Sequence, residues 1–171
     1  MAFLLMPHVR LEIQREEVEL NSRGIDKLEF LISTIPGEEP KPVSKIASGG
    51  ELSRMMLAIK TVLAGADTVD TLIFDEVDTG ISGSAAEKVG LKLREVSRGS
   101  QVLCVTHQAQ IAALADNHYL IKKQVEQGRT FTEVTRLDHE GRVSELARII
   151  GGVNITEAAV SHAEDMLRQN H

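Results

Sequence analysis

The sequence predicts an α/β fold, a mostly parallel sheet with flanking helices plus antiparallel strands, and three observations carry that expectation. Two short apolar runs, Thr71 to Phe74 and Gln101 to Val105, are each followed by a helical pattern. A strand, helix, strand, helix order implies parallel pairing through right-handed crossovers. Alternating apolar and polar residues at Val9 to Leu20, at Leu28 to Ile35 and across His118 to Leu137 add antiparallel strands. At 171 residues with 42% apolar content, the chain fits one domain, or one large lobe of a bigger one, with enough material for a core.

Taken in order, Val9 to Leu20 and Leu28 to Ile35 read as an antiparallel pair turning near Asn21 to Gly24. Pro36 to Pro42 carries three of the four prolines and is expected to be a loop without regular structure. From Glu51 to Ala64, Leu52, Met55, Met56, Ile59, Val62 and Leu63 recur at helical spacing, so a helix starts at Ser48-Gly49-Gly50 and stops at Gly65. After the strand Thr71 to Phe74, Val89, Leu93 and Val96 form the stripe of a helix from Ser84 to Arg98 that ends at Gly99. The strand Gln101 to Val105 leads into a helix of about Gln110 to Ala115. His118 to Val125 and Thr130 to Leu137 form a hairpin about Glu126-Gln127-Gly128-Arg129. Helices of about Val143 to Ile150 and Glu157 to Gln169 close the chain, with Gly151-Gly152 between them and Thr156 as the N-cap of the second.

A net charge of −6 argues against a surface that coats nucleic acid generally, because neutralising phosphates needs clustered Lys and Arg. Lys122, Lys123 and Arg129 could touch a nucleic-acid backbone, but a solvated face accounts for them as well. The single cysteine, Cys104, reads as a strand residue and suits a reducing cytoplasm. No apolar stretch approaches the roughly 20 residues that span a bilayer, and Met1 to Met6 lacks the basic start of a signal peptide. The histidines other than His107 show no metal-ligand spacing, so no zinc site is expected.

Four segments carry chemistry. Ser48-Gly49-Gly50 before a helix offers a hydroxyl, unhindered N–H groups and the positive end of a dipole to a phosphate oxygen; an ordinary helix start is the commoner reading of the tripeptide alone, and the dipole explains Glu51 equally well. Asp75-Glu76 closes a buried strand, where two adjacent carboxylates must be solvated, paired or metal-bound. In phosphoryl transfer the first typically holds Mg²⁺ and the second orients or deprotonates the attacking water. A haloacid-dehalogenase-type phosphatase fails on spacing, since its D-x-D is D-x-x-D in Asp75 and Asp78. Asp78-Thr79-Gly80 follows, and His107 ends the second strand, where an imidazole can hydrogen-bond a γ-phosphate. No G-x-x-x-x-G-K-[ST] loop occurs in the chain.

Together these segments resemble ABC-type ATPases. Ser48-Gly49-Gly50-Glu51 is similar to their signature motif, Leu72 to Glu76 to the Walker B strand with its catalytic glutamate, Asp78-Thr79-Gly80 to the D-loop and His107 to the switch histidine. More narrowly, Ser44 to Arg54, Phe74 to Gly83, Gln101 to His107 and Met6 to Arg10 resemble the C-terminal part of the RecN family, bacterial SMC-like ATPases of DNA double-strand-break repair. The resemblance implies that residues 1–171 are the C-terminal lobe of an ABC/SMC-type head, beginning just after a coiled coil and lacking the Walker A lobe. It implies ATP and Mg²⁺ as ligands, with Asp75 at the metal, Glu76 activating water and His107 sensing the γ-phosphate. Ser48, Gly49, Gly50 and Glu51 would meet ATP in trans across a head homodimer, and Asp78, Thr79 and Gly80 would link the facing sites. The implied partners are the N-terminal Walker A lobe, a second head and, through the full-length protein, DNA, in a bacterial cytoplasm at the nucleoid. The alternative is a catalytically silent ABC-like scaffold, which has no use for both Asp75 and Glu76.

Overall fold

A computed structural model describes residues 9–45, 48–63, 68–126 and 128–169. The helix stop at Gly65, the stretch Met6 to His8, Ile46-Ala47 and the turn residue Gln127 lie outside them. Strands β1 (Arg10–Asn21) and β2 (Gly24–Ser33) pair antiparallel, with Ile13 opposite Phe30 and Asn21 opposite Gly24. The turn forms because the Asn21 side chain accepts from the Arg23 N–H (2.8 Å) and Gly24 takes a φ of 101°. The proline-rich stretch is not wholly irregular, since Lys41–Pro42 forms a two-residue strand β3 against Leu31 and Ile32. It sits at the sheet edge, where a proline without an N–H is tolerated.

Helix α1 (Gly49–Leu63) and helix α2 (Ser84–Val96) pack with β4 (Thr71–Phe74) and β5 (Gln101–Cys104). β4 and β5 pair parallel, Thr71 opposite Gln101 through Phe74 opposite Cys104, and α2 is the connection between them. Leu57 of α1, Phe74 of β4 and Val89 and Leu93 of α2 belong to the core beneath this pair. Each such side chain contributes roughly 1.5–3 kcal/mol by leaving water.

Helix α3 spans only Ala109–Ala112, shorter than expected. Just past its end, Arg142 donates to the carbonyls of Ala113 (3.3 Å) and Ala115 (2.7 Å), so these carbonyls face a side chain. Strands β6 (Tyr119–Glu126) and β7 (Arg129–Arg136) form the expected hairpin. Helix α4 (His139–Gly151) begins earlier than Val143, because Asp138 accepts from the Gly141 N–H (2.8 Å) and caps a polar first turn. Helix α5 (Glu157–Gln169) starts after Thr156, whose hydroxyl accepts from the Ala159 N–H (3.2 Å), as the sequence predicts. A second core joins α3, α4 and α5 through Ala112, Leu146, Ala163 and Leu167.

The α/β class stands, with a difference of proportion. Among the described residues the parallel sheet is the single pair β4–β5, and the other strands pair antiparallel. Parallel alignment brings the carboxyl ends of β4 and β5 to the same edge, the position where ligands bind in open α/β sheets.

Candidate functional site

At the end of β4 the chain leaves the core at Phe74 and turns sharply. Asp75 Oδ1 accepts from the Glu76 N–H (2.9 Å), and Glu76 takes a φ of 57°, the left-handed conformation that costs a residue with a side chain roughly 1–2 kcal/mol. The Thr79 N–H donates to the Glu76 carbonyl (3.0 Å) and the Ile81 N–H to the Asp78 carbonyl (3.2 Å), winding residues 76–81 into tight turns. Asp75, Glu76, Thr79 and Gly80 are exposed as a result. Asp78 is turned inward and is only 2% exposed.

The buried carboxylate of Asp78 joins the two strand ends. Its Oδ2 accepts from the Thr106 hydroxyl (2.6 Å) and the His107 N–H (2.9 Å), and lies 3.1 Å from His107 Nδ1. A buried charge persists only where such donors surround it. With Nδ1–H turned to Asp78, the imidazole presents its other nitrogen outward, on a side chain that is 70% exposed. Beneath this edge, burial first and then Asp78 and Asp75 push the Cys104 thiol up to about 12, so it stays an inert thiol.

The start of α1 abuts the same turns. Ser48 acts as an N-cap, its carbonyl accepting from the Leu52 N–H (3.1 Å) and its hydroxyl from the Glu51 N–H (3.4 Å). Gly50 is buried, and a Cβ there would meet Thr79 Cβ at 2.9 Å and the Glu76 carbonyl at 3.0 Å, so only glycine permits this approach. Gly49 is exposed, and the place its Cβ would take is filled by the Glu76 carboxylate. Ser48, Gly49, Gly50, Asp75, Glu76, Asp78 and His107 are thus brought to one edge, while Glu51, half-buried in the first turn, donates its N–H to Ser48.

No protein-family model matches the chain. It is 48% identical over 157 residues to the DNA repair protein RecN of Bacillus subtilis, an alignment covering 92% of this chain and 27% of that protein. RecN of Deinococcus radiodurans is 48% identical over 163 residues, covering 95% and 28%, and RecN of Vibrio cholerae is 44% identical over 158 residues, covering 92% and 28%. The chain is homologous to a segment of RecN. It spans about a quarter of the length of the curated RecN relatives it matches. Its fold is that of SMC head domains. The Smc head with a coiled coil and joint from Pyrococcus yayanosii superposes with a TM-score of 0.55 at 21% identity, over 95% of this chain and 26% of that one. The Smc head bound to the C-terminal domain of ScpA from Pyrococcus furiosus also gives a TM-score of 0.55, at 23% identity, over 85% and 35%.

Two side chains at this edge were not singled out from sequence, Ser53 and Arg54. Ser53 donates to the Asp75 carbonyl (2.7 Å), and Arg54 Nη1 donates to the carbonyls of Val77 (3.2 Å) and Thr79 (2.8 Å). The signal was present: Arg54 shares a stripe with buried Gly50 and Leu57, at spacings of four and three. Lys122, Lys123 and Arg129 are exposed on the β6–β7 hairpin, where Lys122 faces Glu133 across the ladder, the arrangement of a solvated face. Among the described residues no group of three or more metal-ligating side chains forms, and no helix is long and apolar enough to cross a membrane.

Proposed function

We propose that residues 1–171 are the C-terminal lobe of an SMC-type ATPase head, which hydrolyses ATP at a head dimer interface and serves DNA double-strand-break repair within the full-length protein. The observation that carries the proposal is the Asp78 carboxylate, which draws the strand end bearing Glu76 and the strand end bearing His107 to one place. A scaffold gains nothing from this, because apolar packing would join two strand ends without burying a charge.

Each residue then has a task. Asp75 offers an exposed carboxylate with Oδ1 already engaged by the Glu76 N–H, suiting Mg²⁺, which takes one or two carboxylates and fills its shell with water and substrate phosphates. Bound Mg²⁺ would neutralise charge developing between the β- and γ-oxygens of ATP. Glu76 accepts the proton of the attacking water. His107, held through Nδ1, turns its outward nitrogen toward the γ-phosphate, a donor there once the ring carries both protons. Ser48, Gly49, Gly50 and Glu51 serve the ATP of a facing head: the start of α1 already accommodates one anion, the Glu76 carboxylate against Gly49. The resemblance gave Asp78 the role of linking the facing sites; its carboxylate is committed within the chain, which leaves the exposed Thr79 and Gly80 for that contact.

A second segment is needed to complete the head. The outer side of β4–β5 bears Ile73, 71% exposed, with Leu103 and Val105 also exposed, an apolar surface suited to the N-terminal Walker A lobe. The purified chain should therefore show negligible ATP turnover, and adding the N-terminal lobe should restore Mg²⁺-dependent hydrolysis. In the full-length protein Glu76→Gln should lower kcat by roughly 10²–10⁴-fold and prolong the ATP-bound dimer. Robust turnover by the chain alone would refute the need for a second lobe, and unchanged turnover in the variant would remove Glu76 from its role.

A further inference from the structure

Arg54 is buried between α1 and the turns that follow β4, where it supplies a donor to two backbone carbonyls that an apolar side chain of similar volume would leave without it. Its Nε has no partner, so the guanidinium is held through Nη1. What the guanidinium supplies is direction. Nη1 grips the carbonyls of Val77 and Thr79, the residues on either side of Asp78. Asp78 in turn holds the Thr106 hydroxyl, the His107 N–H and His107 Nδ1. On the same helix, Gly50 rests on the carbonyls of Glu76 and Thr79, and Ser53 donates to the carbonyl of Asp75.

We infer that Arg54 is a positioning residue, coupling the start of α1 to the orientation of His107 through the backbone around Asp78. Contact at Ser48, Gly49 and Gly50 is thereby transmitted to the residues that act on the other nucleotide. Burial lowers the pKa of Arg54, with Glu51 and Asp78 opposing, and the guanidinium remains charged and rigidly forked. A lysine keeps the charge but carries its donors on a freely rotating ammonium instead of a planar guanidinium, so it leaves Asp78 and His107 less well fixed. This inference rests on the ATPase reading above.

The test is a double-mutant cycle in the full-length protein, with ATP turnover, KM and thermal stability measured for Arg54→Lys, Arg54→Gln, His107→Ala and the Arg54→Lys/His107→Ala pair. Arg54→Lys should lower kcat by about 10- to 100-fold, the size of effect that loss of fine positioning produces, with KM for ATP held within about twofold. In the His107→Ala background the same change should have almost no further effect, because the residue being positioned is gone. Equal factors in both backgrounds would overturn the coupling and leave Arg54 a packing residue. So would unchanged kcat in both Arg54→Lys and Arg54→Gln, or a kcat loss that merely follows a fall in melting temperature. Glu76→Gln run in parallel separates the two levels: full turnover in that variant sinks the ATPase reading and this inference with it, whereas loss of turnover there with an additive Arg54 cycle sinks the inference alone.

Discussion

Gly50→Ala and Gly49→Ala add the same methyl group one residue apart, and the structure assigns them opposite consequences. At Gly50 the new Cβ meets Thr79 Cβ at 2.9 Å, the Glu76 carbonyl at 3.0 Å and the Thr79 carbonyl at 3.1 Å. Neither carbonyl is free to retreat: the first accepts from the Thr79 N–H and the second from Arg54. Overpacking costs about 1–3 kcal/mol, and backbone neighbours place this case at the upper end. Alanine recovers at most about 1 kcal/mol of helix propensity. The net loss is about 2 kcal/mol, which for a chain of this size lowers Tm by roughly 4–8 °C. At Gly49 the obstacle is the end of the Glu76 side chain, which can swing aside, so Tm should stay within about 2 °C while Glu76 is displaced. Thermal unfolding followed by far-UV circular dichroism separates the pair. Equal shifts for both variants, or a Gly50→Ala protein as stable as the parent, would refute the packing described around Gly50.

Asp138→Ala removes the acceptor for the Gly141 N–H and should cost about 1 kcal/mol, or roughly 2–4 °C in Tm; no change would mean that α4 does not depend on this cap. Acid should destabilise the fold in two steps. Desolvation, then Arg142, holds His118 below its ordinary 6.5 against the opposing pull of Glu145, so the unfolded chain takes up that proton first and stability falls as pH drops through about 6.5. Hydrogen bonds from Arg148 hold Glu145 below its ordinary 4.5, a contribution present above that value and lost as pH falls through the lower folded pKa. Urea midpoints followed from pH 8 down to about pH 2.5 should lose the upper step in His118→Gln and keep the lower one; an unchanged profile would remove His118 from the account.

Much of the fold was legible because its signals are local. The apolar runs of β4 and β5, the helical spacing of apolar residues in α1 and the Thr156 cap each lie within a few residues of what they specify. What the sequence concealed depends on partners far along the chain. β3 exists because Leu31 and Ile32 lie beside Lys41 and Pro42, and the carbonyls of Ala113 and Ala115, just past the end of α3, are taken by Arg142, nearly 30 residues on. The first turn of α4 is polar, so apolar spacing began the helix at Val143 while the Asp138 cap had already begun it. At the candidate site the residue types announced themselves, but the roles did not. Nothing local says that Asp78 faces Thr106 and His107 while Asp75 and Glu76 face outward, or that Arg54 holds the turns between them.

Charge bears on the proposed head from another direction. Asp75 and Glu76 stand exposed at this edge with the buried Asp78 carboxylate beneath them, and Arg54 gives its Nη1 donor to backbone carbonyls. A triphosphate approaching such a surface meets repulsion, which a low-dielectric interface strengthens. The helix start of α1 offers roughly half a positive charge, and the Glu76 carboxylate already lies against it. In the proposed head, therefore, nucleotide affinity comes from cations and N–H donors carried by other segments, while this lobe contributes acceptors that matter once a metal ion and a water molecule are in place. The chemistry of hydrolysis and the affinity for its substrate then reside in different stretches of polypeptide, and only their assembly brings the two together.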